Sequence, residues 1–322
     1  MSKSMIKTMS TGFFFLFFMI ASVLMILLTG CKSGVDEIII EDLNIPLTKD
    51  FTIPQTISPY IHTGYNDRVI IDHSNKHEGY ITIKFTDESD GKFKAVITGP
   101  NDDVYIYELN PKIIEVYPLS AGNGVYTIGV YENVYDDEYN EILLISIDVI
   151  LDNVYVPFIR PSQYVMYSKD SSAAKLTAEL TAGIDCLFAI IEKVIAYFEE
   201  NIYYDVELAY IAQPGFIPDV DAVAETGRGF CFDIAALFAA MLRSRGIPAQ
   251  LVVGYYTDIE YDNMYHAWVS VYSKSNGTIG GVIDIKAGEW NIIDPTFISS
   301  RGLHSVSILA RHGFAYEAVF IY

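Results

Sequence analysis

Cysteine is scarce in this chain of 322 residues, which contains only Cys31, Cys186 and Cys231. Three thiols imply no disulfide framework. We do not expect a disulfide between Cys186 and Cys231, because Cys186 falls in an apolar, helix-like run that predicts burial. Basic residues are also few, 21 against 41 acidic ones, so the net charge is −20. This deficit argues against nucleic acid or an anionic membrane surface as a partner.

The sequence has no phosphate-binding glycine loop and no dinucleotide fingerprint, so no cofactor is expected. His73 and His77, beside Asp72 and Glu78, have a spacing found in metal sites, but no further candidate ligand converges on them. We therefore expect a solvated loop there and no metal. A metal-dependent hydrolase would need more clustered histidines and carboxylates than the chain offers.

The N-terminal segment has the pattern of a secretory signal. Lys3 and Lys7 precede the uncharged apolar run Phe13–Leu28, which is shorter than the ~20 residues of a typical membrane span. Leu28-Thr29-Gly30-Cys31 resembles a bacterial lipobox, which implies cleavage before Cys31 and a lipid on its sulfur. We therefore expect a signal peptide over 1–30, a tether over 31–60 and an extracytoplasmic protein anchored by lipid in the cell membrane. An uncleaved anchor or an ordinary signal peptide is the alternative.

Alternating apolar and polar residues dominate the next part of the chain, 61–158. Strands are predicted by the runs Tyr80–Phe85, Lys92–Thr98, Val104–Leu109, Gly124–Tyr131 and Ile142–Leu151, with turn residues between them. Short strands at this spacing predict an immunoglobulin-like β-sandwich domain. A linker is expected at Val154–Tyr167. A long helix from about Ala173 to Glu200 would then open a second domain over 159–322.

Three pieces of the second domain carry a possible chemistry. Cys231 begins a run of helix formers that ends before Gly246 and Pro248, so the thiol lies at a helix N-terminus, which favours the thiolate. His266 lies near the start of an alternating run, and Asp294 closes a short one that Pro295 terminates. A thiol, an imidazole and a carboxylate are the groups needed for nucleophilic acyl transfer. Taken alone, each has a commoner structural explanation, since a single cysteine in an apolar run is usually a buried small hydrophobe.

Several short motifs in a fixed order resemble the transglutaminase-like core. They are Gly229-Phe230-Cys231, Gly246-Ile247-Pro248-Ala249, Gly254-Tyr255, His266-Ala267-Trp268 and Asp294-Pro295-Thr296. The resemblance covers roughly Ala173–Phe297. It implies an α+β fold with a papain-like layout, in which the helix bearing the thiol packs on an antiparallel sheet.

The same resemblance assigns roles to residues of this chain. It implies that Cys231 is the nucleophile, that His266 is the base and that Asp294 orients His266. The backbone N–H of Cys231 and a side chain upstream of it would form the oxyanion hole. Tyr203, Tyr204 and Gln213 are the candidates for that side chain, and the sequence does not choose among them.

The first functional hypothesis is a membrane-anchored thiol enzyme that acts on amide bonds of a peptide or protein, including cell-wall peptides. Hydrolysis is favoured over transfer to an amine, because the segment shows no large insertion that would build an acceptor tunnel. The acidic loop with Asp258, Glu260 and Asp262 is the one feature that suits an amine. The alternative is a non-catalytic surface adhesin or scaffold that binds through its β-domain.

Overall fold

The computed structural model describes residues 61–63, 68–86, 89–258, 262–304 and 315–322. The predicted signal peptide, the predicted lipidation site Cys31 and the predicted tether lie outside these residues. So does 305–311, where the sequence predicts a short helix. No helix within the described ranges combines the length and apolar character that crossing a membrane requires.

The N-terminal part of the described chain is built of strands. They are β1 (Ile61–Thr63), β2 (Val69–Asp72), β3 (Tyr80–Phe85), β4 (Phe93–Thr98), β5 (Val104–Leu109), β6 (Glu115–Pro118), β7 (Gly124–Tyr135) and β8 (Glu138–Val149). A 3₁₀ turn at Lys76–Glu78 precedes β3. The first sheet has the order β1-β2-β3-β6 and the second the order β5-β4-β7-β8, with every pair antiparallel.

Alternating burial explains why these strands form two layers. In β4 and β5 every second side chain is buried, so each strand turns one apolar face to the core. The predicted β-sandwich is thereby confirmed. β6 escaped the sequence analysis because all of its side chains are buried and the period-two pattern is absent.

The segment predicted as an inter-domain linker, Val154–Tyr167, is largely buried. It holds a 3₁₀ turn at Val156–Phe158, and the Tyr164 ring stacks on Tyr107 of β5 at 5.5 Å. Its apolar residues join one continuous hydrophobic core with the strands before it and the helices after it. The boundary proposed at residue 158, meaning two parts that fold independently, stays a prediction.

The second part of the chain mixes helices and strands. They are α1 (Ser172–Leu180), α2 (Leu187–Asn201), β9 (Tyr203–Tyr204), α3 (Val206–Ile211), α4 (Val220–Thr226), β10 (Arg228–Gly229), α5 (Cys231–Ser244), β11 (Ala249–Thr257), β12 (Met264–Ser273), β13 (Gly277–Ile279), β14 (Ile283–Ile285), β15 (Glu289–Ile293), α6 (Pro295–Arg301) and β16 (Ala315–Ile321). The antiparallel sheet β15-β12-β11-β16 forms one layer, and α5 packs on β11 and β12. This arrangement is the predicted α+β core.

The helix expected from Ala173 to Glu200 is two helices. The chain breaks after α1 because Gly183 adopts a left-handed conformation (φ +72°), which a continuing helix does not allow. Cys186, predicted to lie in mid-helix, is instead the residue before α2 and is half-buried. Its neighbours Leu187 and Ile191 form the buried face as expected.

A buried arginine fixes the far end of α5. Arg243 is fully buried and donates hydrogen bonds to the carbonyls of Ala249 (2.8 Å), Arg160 (2.9 Å) and Tyr322 (2.7 Å). These carbonyls belong to the start of β11, the 154–167 segment and the residue that follows β16. One side chain therefore ties the helix that begins with Cys231 to three other elements.

Candidate active site

The thiol of Cys231 is held by a tight entry into α5. Gly227 ends α4 with φ +68°, and a Cβ on it would lie 2.3 Å from the carbonyl oxygen of Asn201. Gly229 pairs with Tyr204 in the short parallel β10–β9 ladder, and a Cβ on it would lie 2.6 Å from the Cβ of Asp233. Both positions require glycine. The chain therefore turns directly from β10 into the helix.

Cys231 is the first residue of α5, so its N–H has no acceptor within the helix. The Asp233 carboxylate accepts a hydrogen bond from the N–H of Phe230 (3.2 Å) and so caps the helix start. Burial raises the pKa of Asp233 to about 6, against the opposing effect of this hydrogen bond. Cys231 is a half-buried free thiol at a helix end that favours negative charge.

His266 and Asp294 meet where β12 and β15 lie side by side. β15 pairs with β12 through Val269 and Ile293, and Asp294 follows as the N-cap of α6, a helix that Pro295 begins. The Nε2 of His266 lies 2.7 Å from the Oδ2 of Asp294. Both side chains are almost completely buried. The carboxylate therefore fixes the orientation of the imidazole.

The Asp294 carboxylate takes part in four hydrogen bonds. Its Oδ1 accepts the N–H groups of Thr296 and Phe297, each at 3.0 Å. Its Oδ2 accepts the Tyr316 hydroxyl at 2.9 Å in addition to bonding His266. An acceptor held by four hydrogen bonds cannot rotate, so the position of His266 is set by α6 and β16 together.

The electrostatics of His266 favour the imidazolium. Burial lowers its pKa, but the charge of Asp294, the hydrogen bond to Asp294 and a hydrogen bond with Cys231 outweigh this and raise the pKa to about 10. Since Nε2 bonds Asp294, Nδ1 is the nitrogen left for Cys231. The ring also stacks on Phe297 with centroids 5.1 Å apart. The structure thus brings together all three residues predicted from the sequence.

The three oxyanion candidates separate in the structure. Tyr204 and Gln213 line the same pocket as Cys231, whereas Tyr203 is not among the described residues that line it. The Tyr203 hydroxyl donates to the carbonyl of Glu200 (3.1 Å), and its side chain is mostly exposed. Gln213 donates one N–H of its amide to Ile211 (3.0 Å), which leaves the second N–H for a ligand.

Cys231 and His266 open onto a pocket of about 660 Å³. The walls are contributed by β5, the 209–216 segment, the start of α5, β11, β12 and the end of β16. Among the described residues, no cluster of three or more His, Cys, Asp or Glu side chains has a geometry that could hold a metal ion. The thiol of Cys231 lies in a cleft that is open to solvent.

Tyr316 is the site residue that sequence reasoning missed. The sequence predicts a last strand at Glu317–Tyr322, but nothing local distinguishes the adjacent Tyr316 from other tyrosines of a strand. Its partner Asp294 is 22 residues away and reaches it only through the tertiary fold. A tyrosine at the edge of a predicted strand carries no signal by itself.

Comparison with known proteins identifies the family of part of the chain. Residues 174–295, which contain Cys231, His266 and Asp294, match the family model of the transglutaminase-like superfamily, so this region is a transglutaminase-like domain. The resemblance predicted from the sequence is confirmed for this region. None of the curated proteins matches the chain.

Several solved structures are similar to the chain. A candidate cysteine protease from Cytophaga hutchinsonii is 18% identical with a TM-score of 0.34, covering 65% of this chain and 68% of that one. The periplasmic domain of TgpA from Pseudomonas aeruginosa is 15% identical with a TM-score of 0.33, covering 76% and 99%. Red sea bream transglutaminase is 14% identical with a TM-score of 0.28, covering 67% and 48%.

Proposed function

We propose that the chain is a thiol enzyme that hydrolyses amide bonds of peptides or proteins through Cys231, His266 and Asp294. The observation that carries the proposal is the position of His266. It lies between a buried carboxylate at 2.7 Å and a thiol at a helix N-terminus, and the thiol faces an open pocket. This set of groups in contact is what acyl transfer requires.

The proposed reaction has two halves. The Cys231 thiolate attacks the amide carbon, the C–N bond breaks, and the His266 imidazolium gives its proton to the leaving amine. Water then attacks the thioester while His266 takes its proton, the C–S bond breaks, and His266 returns as imidazolium beside the thiolate. Asp294 keeps the ring in place and stabilises its positive charge in both halves.

The developing oxyanion would be held at the start of α5. The Cys231 N–H is one donor, because no intrahelical acceptor engages it. Tyr204 and Gln213 are the remaining candidates for the second donor, since both line the pocket. Substitution of each in turn, Tyr204→Phe and Gln213→Leu, tests them. Loss of one oxyanion donor is expected to lower kcat by about 10²-fold, with KM nearly unchanged.

Hydrolysis is favoured over transfer to an amine. A transferring enzyme must hold its amine against water of ~55 M, which requires a formed amine site. None of the described residues lining the pocket is a carboxylate that could bind an ammonium group. Asp258, one of the acidic loop residues that suit an amine, instead accepts a hydrogen bond from the Tyr256 hydroxyl at 2.7 Å. Glu260 lies outside the described residues.

Two measurements test this function. The first is alkylation by iodoacetamide near neutral pH, where selective labelling of Cys231 is expected and equal labelling of Cys186 would favour a non-catalytic scaffold. The second traps the acyl-enzyme with a peptide mixture that includes cell-wall peptides, and chases it with ¹⁸O-water or a primary amine. Capture of nearly all of the acyl group by the amine would contradict hydrolysis, and full activity of Cys231→Ala would contradict the mechanism.

The location is a separate proposal. The lipobox-like Leu28-Thr29-Gly30-Cys31 supports a mature lipoprotein that begins at Cys31 and lies outside the cytoplasm, anchored in the cell membrane. Mass spectrometry of the N-terminal peptide from detergent-extracted protein tests it. A diacylglyceryl group on Cys31 is expected, and an unmodified Cys31 or an intact Met1 would contradict the proposal.

A further inference from the structure

We propose that the N-terminal β-sandwich forms one wall of the substrate groove, and that this groove selects a peptide with an uncharged apolar side chain beside the scissile bond. The inference deepens the function proposed above and rests on it. We call Val104 and Ile106, the two residues of β5 that line the pocket, the β-wall.

The β-wall results from the alternation of β5. Tyr105 and Tyr107 point into the sandwich and are buried, so Val104 and Ile106 point outward and are 45% and 55% exposed. β5 is an edge strand of its described sheet, where it pairs only with β4. These two β-branched apolar side chains do not contribute to the core of the sandwich. They line the pocket that contains Cys231.

Aromatic contacts fix the β-wall relative to the nucleophile. Tyr164 stacks on Tyr107 (5.5 Å), and the same ring contacts Phe232 (5.3 Å), the residue next to Cys231. Tyr322 contacts Tyr105 (5.7 Å) and Tyr164 (4.8 Å). The sandwich is therefore packed against the start of α5 through side chains with few rotatable bonds, and the groove between them is preformed.

The opposite side of the groove is also apolar. Phe216 packs edge-on against Phe230 (5.0 Å), the residue before Cys231. The 212–216 loop reaches across to β5, where a Cβ on Gly215 would lie 2.7 Å from the Cγ of Glu108. The loop therefore touches the sandwich, and Phe216 and Phe230 line the same pocket as the β-wall.

Charge decides the substrate class. The chain has a net charge of −20, yet apart from His266 the described lining of the pocket has no ionisable acidic or basic side chain except cysteine and tyrosine. A charged substrate side chain placed here would lose water without gaining a partner, whereas an apolar one would bury its surface against apolar side chains. A single methylene more or less in an apolar pocket already changes the rate by about 10- to 200-fold.

A series of thiol-reactive peptides tests the inference. Peptidyl acyloxymethyl ketones that carry Phe, Leu, Lys or Glu next to the reactive carbonyl are compared by their second-order rate of Cys231 alkylation. We expect the Phe and Leu probes to react about 10- to 100-fold faster than the Lys and Glu probes. Iodoacetamide, which has no side chain to place, measures the reactivity of the thiol itself.

A matched pair of variants locates the selectivity. Ile106→Glu should reduce the preference for Phe and Leu probes at least tenfold, when each probe rate is divided by the iodoacetamide rate of the same variant. Val125→Glu is the control, because Val125 lies on the outer face of the same sheet, is 58% exposed and is not a pocket residue. Thermal unfolding verifies that both variants fold, and the probe series on the unaltered protein decides the question even if one does not.

The outcomes separate the two proposals. Failure of iodoacetamide to label Cys231 would overturn the thiol-enzyme function, and this inference with it. Normal labelling by iodoacetamide combined with equal rates for all four peptide probes would overturn the apolar groove alone. A preference that survives in Ile106→Glu would overturn the role of the β-wall.

Discussion

Asp294 and Glu115 are buried carboxylates, one in each part of the chain, and they differ in their partners. Asp294 of the transglutaminase-like domain is 2% exposed and Glu115 of the β-sandwich is 4% exposed. Asp294 bonds an imidazole, a phenol and two backbone N–H groups. Glu115 bonds the Asn110 N–H (2.8 Å), the Tyr117 hydroxyl (2.9 Å) and the Gln163 amide (2.8 Å).

The difference lies in one partner that can carry a positive charge. His266 and Asp294 can form an ion pair, which raises the pKa of His266 to about 10. Glu115 has only neutral donors, and burial raises its pKa against their opposing effect. In the proposed function, Asp294 supports chemistry because its partner is titratable and faces a pocket. Glu115 has neutral partners and serves structure, since it ties β6 to the 154–167 segment.

The largest effect is expected from Asp294→Asn. The Asn side chain can still cap α6, since Asn is a good N-cap. It cannot stabilise the imidazolium of His266, and it favours the wrong tautomer of the neutral ring. We expect kcat/KM to fall by about 10³- to 10⁴-fold and thermal stability to fall as well, because the buried ion pair with His266 is lost. Asp219→Asn is the control, because Asp219 caps α4 in the same way (3.0 Å to Ala222 N) away from the pocket. A kcat/KM of Asp294→Asn within tenfold of the wild-type value would contradict a functional role for Asp294.

The ion pair also predicts a pH dependence. Because the pKa of His266 is raised to about 10, the imidazolium and its stabilising effect are fully present below its ordinary pKa and are lost as the pH rises through about 10. We expect kcat/KM to fall about tenfold per pH unit above that value. In Asp294→Asn the charge that raises the pKa is gone, so the alkaline limit should move to lower pH. A histidine titration near its ordinary pKa in wild type would contradict the ion pair.

Tyr316→Phe should give a smaller effect. The phenol positions Asp294 from β16 and does not touch the pocket, so we expect kcat to fall by about tenfold with KM unchanged. Removal of this donor leaves His266 as the only side chain bonded to Oδ2, so the alkaline limit should move upward. Tyr210→Phe, at a residue 90% exposed on α3, is the control. A loss of stability with an unmoved pH profile would make Tyr316 purely structural.

The parts of this site that the sequence could predict are those set by local rules. Cys231 lies at a helix start because glycines precede it and helix formers follow, and Asp294 ends a strand because Pro295 cannot continue one. The alternation around His266 predicts its strand, β12. Each of these signals lies within a few residues of the side chain it positions.

The parts that escaped prediction depend on contacts between distant residues. Pro157 and Pro161 predict a linker at 154–167, yet rings from both parts of the chain pack against Tyr164 in this segment. Tyr316 and the β-wall residue Ile106 are ordinary strand residues until the fold brings them to the site. The left-handed conformation of Gly183 separates α1 from α2 within a sequence that otherwise favours helix. The residues around Gly183 do not by themselves predict that conformation.

The smallest effect, on stability alone, is expected from Glu115→Gln. A raised pKa means that the folded state holds the proton more tightly than the unfolded one, so Glu115 contributes most stability at acid pH and loses it as the pH rises. Gln cannot ionise and lacks this dependence. It can keep the bond from Gln163, but it turns an NH₂ group towards the Asn110 N–H, which costs about 1 kcal/mol at acid pH.

The measurement is the free energy of unfolding of wild type minus that of Glu115→Gln, by urea titration from about pH 4 to about pH 8. The difference should be largest in acid and should shrink as the pH rises, while kcat/KM stays within about twofold of wild type. Glu138→Gln, at an exposed residue of β8, is the control and should give a difference near zero. A difference that grows with pH would mean that Glu115 is held as a stabilised anion. The two buried carboxylates would then resemble each other, and only the imidazole beside Asp294 would distinguish them.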